Sequence, residues 1–222
     1  MSIVVMIKFR QKINKDLKKY IETNIIPLYR NFDKGHDIQH VEEVIQRSLE
    51  LAEIYKADLD ITYTAAAYHD TGLNKGREDH EINSGKIVRN DKNLKNFFSP
   101  EEIEIIAQAV EDHRASLQGD PRSIYGKIIS DSDRIIDPIR TIERTIKFGL
   151  SENPNKDYNW HLERSFKYLN NKYGKFGYVK GYLPKSDVYK SLQEFRKILD
   201  NKRKFEEIFI VIWYDIQNKE IY

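Results

Sequence analysis

The chain has 222 residues, 40% hydrophobic and 32% charged, a balance that suits one soluble globular domain and excludes intrinsic disorder. Lys and Arg number 37 against 35 acidic residues, and a net charge of only +2 gives no support to wholesale nucleic-acid binding. There is no cysteine, so disulfide scaffolds, thiolate metal sites and cysteine nucleophiles are ruled out, and any metal must sit on imidazole and carboxylate.

The apolar opening Ser2-Ile3-Val4-Val5-Met6-Ile7 is far too short for a membrane span. It has neither the basic lead-in nor the cleavage site of a signal peptide, so a cytoplasmic location is expected. A first helix is expected over about 8–30, with Ile13, Leu17, Tyr20, Ile21 and Ile25 on one face. Its lysines (Lys8, Lys12, Lys15, Lys18, Lys19) are interrupted by Asp16 and Glu22 and read as a solvated face. A second helix runs over about 37–55, with Asp37 as N-cap and Val41, Val44, Ile45, Leu49 and Ala52 along its apolar stripe.

The third, over about 58–70, contains Thr64-Ala65-Ala66-Ala67-Tyr68; such small side chains allow packing from several sides and predict a central position. Gly72 is read as its terminator. Helices over 79–90 and 99–113 follow, the latter announced by Ser99-Pro100-Glu101-Glu102. One long helix is then expected from about 123 to 148 after the Gly119-Asp120-Pro121 turn. Helical spacing returns near 160–173 and 186–201.

The glycine- and aromatic-bearing stretch 174–184 predicts a loop, hairpin or lid, and Tyr173, Phe176, Tyr178 and Tyr182 are there either to pack or to stack on a base. Residues 209–214 fit a buried helix end or a short strand equally well. The class is all-α. The expected division is a core over 1–150 and a C-terminal extension, 151–222, packed on the same domain.

Five of the six histidines fall within the first 113 residues: His36, His40, His69, His80 and His113. His69-Asp70 closes a strongly apolar helix, where an imidazole and a carboxylate without a partner would be costly. Adjacent helical residues point about 100° apart, so the pair can grip one ion between them. His36 and His40 are four apart at the start of an amphipathic helix. Ile128-Ile129-Ser130-Asp131-Ser132-Asp133-Arg134-Ile135-Ile136 sets two carboxylates inside an apolar run; about 200° apart on a helix, they will not both face one ion.

Together, Gly35-His36-Asp37-Ile38-Gln39-His40, Ala67-Tyr68-His69-Asp70-Thr71-Gly72 and Ser132-Asp133-Arg134-Ile135 resemble the H…HD…D signature of the HD-domain superfamily of metal-dependent phosphohydrolases. The resemblance spans 35 to about 137 and implies an HD-type helical bundle with a C-terminal helical extension. It implies His40, His69, Asp70 and Asp133 as metal ligands and favours Asp133 over Asp131.

It further suggests Asp70 as a group orienting the attacking water and Arg134 as a phosphate holder. His80 and His113 become catalytic or second-metal residues, while Lys75 and Arg77, in the loop just after the His-Asp pair, are either substrate contacts or solvated loop charges. A nitrogen and oxygen ligand set without sulfur suits Mn, Fe, Co, Ni, Zn or Mg and does not choose among them. The implied activity is hydrolysis of a phosphoester or phosphoanhydride, with a nucleotide the expected substrate. The alternatives are a two-metal dinucleoside polyphosphate hydrolase and a non-catalytic nucleotide-sensing module. Walker-type phosphate loops, G-x-S-x-G elbows and H-E-x-x-H helices are absent from the sequence. The expected partners are a small phosphorylated substrate and, as a base rate, a second copy of the chain; no membrane or nucleic acid is expected.

Overall fold

The computed structural model describes residues 12–33 and 35–219, which form ten α-helices and three short 3₁₀ segments, with no strand among them. The α-helices are α1 (Lys15–Asn24), α2 (Ile38–Tyr55), α3 (Leu59–Tyr68), α4 (His80–Asn90), α5 (Pro100–Glu111), α6 (Ile124–Ser132), α7 (Pro138–Glu152), α8 (Tyr158–Tyr173), α9 (Asp187–Leu199) and α10 (Lys202–Lys219). The all-α expectation holds. No described helix is long and apolar enough to cross a membrane.

The chain divides into two compact units, Met1–Arg134 and Ile135–Tyr222, sixteen residues earlier than the boundary expected at 150. The single helix expected over 123–148 is broken, which moves the division. Asp137 is extended (φ −112°, ψ 110°), as a residue before proline prefers, and its side chain accepts from Arg140 N to cap α7 at Pro138. The apolar stripe of α7, Ile142 and Ile146, belongs to the second core.

In the first unit α3 is the axis, touching α1, α2, α4, α5 and α6, and every residue from Ile61 to Tyr68 is buried. The alanines at 65–67 explain the position, since only small side chains admit neighbours on all sides. Around it, Ile13, Leu17, Ile21 and Ile25 recur at helical spacing and are buried, each contributing about 1.5–3 kcal/mol. The first helix is shorter than expected because Asn14 caps α1 and the chain tightens into the 3₁₀ segment Ile26–Asn31 at Pro27. The expected helical lead-in before residue 12, with Lys8, lies outside the described residues.

Gly72 does not end α3 by a left-handed turn. It lies in the 3₁₀ segment Thr71–Lys75, where a Cβ would come within 2.1 Å of His80 O and 2.6 Å of Ser84 N. Glycine is required so that α4 can press against the turn carrying Asp70.

The second unit packs α7 to α10 around Ile142, Ile146, Leu169, Leu192, Phe195 and Phe205. Residues 209–214 are helical: extended to Phe205 and Ile216, the buried series Phe205, Phe209, Ile212, Ile216 has helical spacing within α10. Residues 174–186 form a loop and not a hairpin, with Val179 and Leu183 buried, Phe176 exposed and Val179 N donating to Lys172 O. His161 is fully buried, packed between Trp160 and Trp213.

Candidate metal centre

Five helix ends of the first unit converge. Asp37 caps α2 by accepting from His40 N at 3.0 Å, which sets His40 in the first turn. His69 is the C-cap of α3 and Asp70 follows it; both are buried. Asp133 is the C-cap of α6, its N–H returned to Ile129 O. The start of α4 supplies His80, behind Asp79 in the left-handed region (φ 52°), and the end of α5 supplies His113.

The ligand atoms of His40, His69, Asp70 and Asp133 all lie within 4.8 Å of one another. His40 Nε2 is 3.3 Å from His69 Nε2 and 3.2 Å from Asp133 Oδ1, while His69 Nε2 is 3.2 Å from Asp70 Oδ2. Asp70, His80 and His113 form a second such group. Asp70 Oδ1 is 3.4 Å from His80 Nε2 and 3.5 Å from His113 Nε2, and those two nitrogens are 3.3 Å apart. Asp70 therefore offers one oxygen to each pair of histidines. Asp133 and not Asp131 lies in the cluster.

Three features of the chain fit a divalent cation. His69 Nδ1 lies 2.8 Å from Ala66 O, His80 Nδ1 3.1 Å from Arg77 O, and His113 Nδ1 2.6 Å from Val110 O. A carbonyl only accepts, so each Nδ1 carries the proton and each Nε2 presents a lone pair inward, the arrangement of metal-binding imidazoles. Asp70 Oδ2 is buried with no hydrogen-bond partner. The donors are nitrogen and oxygen only, which suits first-row divalent ions and Mg.

The charges are strongly coupled. Burial alone would lower the His69 pKa, but Asp70 and Asp133 outweigh it and hold the imidazole well above its ordinary value. Burial raises Asp70, yet His69 and His113 bring it well below the carboxylate range, and His40 and His69 do the same for Asp133. A bound cation would take the place of the proton on His69. His80 is lowered, by burial first and by His113 second.

Arg134, Arg77, His36 and Lys75 lie outside the two ligand groups. Arg134 Nη2 donates to His113 O at 2.7 Å and to Ser130 Oγ at 2.5 Å, so it braces the backbone behind His113. Arg77 Nη2 is bound to Asp33 Oδ2 at 2.7 Å, and His36 Nδ1 to Asp33 Oδ1 at 2.9 Å; His36 packs edge-on to the His40 ring, 5.7 Å between centroids. Exposed Lys75 lines a shallow cleft with Tyr20, Lys86 and Asp91, outside both ligand groups.

Two supporting residues were not anticipated. The Tyr29 hydroxyl donates to Ala67 O and accepts from Asp70 N, holding the His-Asp turn from beneath. Arg47 Nε donates to Ser132 O at 2.7 Å, fixing the α6 end beside Asp133. Arg47 sits one turn after Glu43 on α2 and could have been read only as a helix salt bridge. Tyr29 carried no local signal at all.

The HD domain family matches residues 37–136, a span that encloses all six of these ligand candidates. No curated protein sequence matches the chain. A crystal structure described as a "predicted HD superfamily hydrolase", from an uncultured Thermotogales bacterium, has a similar fold, with a TM-score of 0.54 at 19% identity over 94% of this chain and 98% of that one. At that identity the likeness speaks for the fold. The match over residues 37–136, together with the shared fold, supports assigning this region to the HD-domain superfamily.

Proposed function

We propose that the chain is a metal-dependent phosphohydrolase cleaving a phosphoester or phosphoanhydride, with a nucleotide or a related small phosphate as substrate. The observation that carries this reading is Asp70, whose two oxygens are each shared with a different pair of inward-facing imidazoles. His40, His69, Asp70 and Asp133 would hold the cation. A divalent cation there supplies positive charge against the phosphoryl oxygens and makes water acidic enough to act as a nucleophile at neutral pH.

The chain's own groups do the rest. Tyr29 and the Ala66 carbonyl lock the His69-Asp70 turn, so the ligands need no rearrangement as charge develops. His80, partly exposed and with Nδ1–H tied to Arg77 O, keeps Nε2 free to accept the proton that the attacking water loses. Its lowered pKa keeps it neutral and competent for that task near pH 7.

A second reading, a dinucleoside polyphosphate hydrolase, is favoured by the Asp70, His80 and His113 group, which could hold a second cation with Asp70 between the two. Two cations side by side would suit a substrate with several adjacent phosphates. Metal analysis of the purified protein, with a phosphohydrolase screen that includes a diadenosine polyphosphate, tests both. One ion per chain with monoester or diester turnover supports the first reading, and two ions with preference for the polyphosphate the second. Protein that binds no divalent ion and hydrolyses nothing would overturn both and leave a non-catalytic HD module.

A further inference from the structure

The second unit contains a cleft of about 620 Å³ between α7 and α8, built entirely from residues after Arg134. That volume is within the range of small-molecule sites. Ile142 and Ile146 of α7 point into the core, so the opposite face presents Arg144, Lys147 and Phe148 to the cleft. From α8 come Arg164, Tyr168 and Lys172. No carboxylate lines the cleft.

Lys147 is neutralised by Glu143 at 2.6 Å, and Glu163 is turned away to Lys202. Arg144, Arg164 and Lys172 have no carboxylate within ion-pair distance among the described residues. Three uncompensated cations around one concavity make a positive field that attracts an anion. Guanidinium groups favour phosphate in particular, because their donor fork matches its oxygens.

The aromatic side chains are arranged as well. Phe148 is 58% exposed and Tyr168 45%, large areas for rings in a folded core-bearing unit. Arg164 lies over the Phe148 ring at 5.5 Å while its Nη1 donates to Thr145 O, and Lys172 lies over Tyr168 at 5.9 Å and Tyr173 at 5.3 Å. These contacts hold rings and cations in fixed relation before any ligand arrives.

We infer that this cleft binds a nucleotide, its phosphates on Arg144, Arg164 and Lys172 and its base against Phe148 and Tyr168. The site is separate from the HD-domain ligands and does not depend on the reading of those residues as catalytic. A single-stranded nucleic acid would use the same chemistry, but a cleft of about 620 Å³ has room for one nucleotide rather than a strand.

The test is equilibrium binding of ADP to the full chain with EDTA present, so that the metal cluster is stripped and hydrolysis is stopped. Both tryptophans lie in the second unit, and Trp160 lines the neighbouring cleft that shares Arg164 and Tyr168, so tryptophan fluorescence reports occupancy there. ADP should change the emission saturably, with adenosine and pyrophosphate each binding more weakly. Arg144→Glu, a change at an exposed side chain, and Phe148→Ala should each weaken ADP by at least about tenfold. Circular dichroism should show both variants folded.

Three results would overturn the inference. One is no saturable response at millimolar ADP. Another is ADP binding that both folded variants retain, which would place it elsewhere in the chain. The third is affinity that climbs steadily with the length of an oligonucleotide, which would make the cleft part of a strand-binding surface.

Discussion

His80 Nε2 lies 3.3 Å from His113 Nε2, although the two residues come from different helices and each Nδ1 is committed to a carbonyl of its own turn. Two inward lone pairs at that separation repel unless a proton or a cation lies between them, and Asp70 Oδ1 faces both. If a second ion binds there, His113→Ala should lower the metal content by one ion per chain and leave the first ion on His40, His69, Asp70 and Asp133. Elemental analysis at equal protein concentration reads this directly. Equal metal content in wild type and variant would assign His80 and His113 to proton transfer instead.

Gly72 offers a test of how packing sets the site. A Cβ there would meet the backbone at His80 O and Ser84 N, and backbone cannot swing aside as a side chain can. Gly72→Ala is expected to cost about 1–3 kcal/mol in urea unfolding, the range for overpacking. It should also push α4 outward, so that turnover falls more than stability alone explains. A variant as stable and active as wild type would contradict the close approach.

Arg134 separates a positioning role from substrate contact. Its Nη2 is held by His113 O and Ser130 Oγ. Arg134→Ala should therefore lower kcat with little change in KM, because the loss loosens His113 and not a phosphate contact. A rise in KM with kcat preserved would instead show Arg134 gripping the substrate.

His161 predicts a pH dependence for the second unit. Burial between Trp160 and Trp213 lowers its pKa below the ordinary 6.5; Asn153 O and Asp157 oppose the shift, and Arg164 adds to it. The unfolded chain then takes up the proton first as pH falls, so this contribution is fully present above about 6.5 and declines below it. The urea midpoint followed by tryptophan emission should drop between about pH 7.5 and pH 5.5, and His161→Leu should flatten that drop.

Much of the site was legible because its signals are local. Asp37 ahead of His40 is an N-cap, the alanine run marks a helix buried on all sides, and His69-Asp70 at its end is too polar to be there without a partner. One local signal was masked, and the rest of what failed was non-local. Periodicity continued smoothly through 123–148, and the Asp137-Pro138 break was overlooked even though it carries its own cap signal. Gly72 resembled a helix terminator because the approach of α4 is a tertiary contact. Arg77 and Arg134 lay near the motifs in sequence, but their directions depend on Asp33 and the His113 carbonyl, whose proximity no spacing reveals.

The most direct test of the phosphohydrolase reading is metal content and hydrolysis of bis-p-nitrophenyl phosphate, measured side by side on wild type and Asp70→Asn. The substitution keeps the shape of the side chain but removes the charge that both histidine pairs share. Wild type should carry a near-stoichiometric divalent ion and turn the diester over, and the folded variant should lose both. A variant that keeps its metal and its activity, or a wild type that takes up no divalent ion when one is supplied, would contradict a catalytic centre built on Asp70.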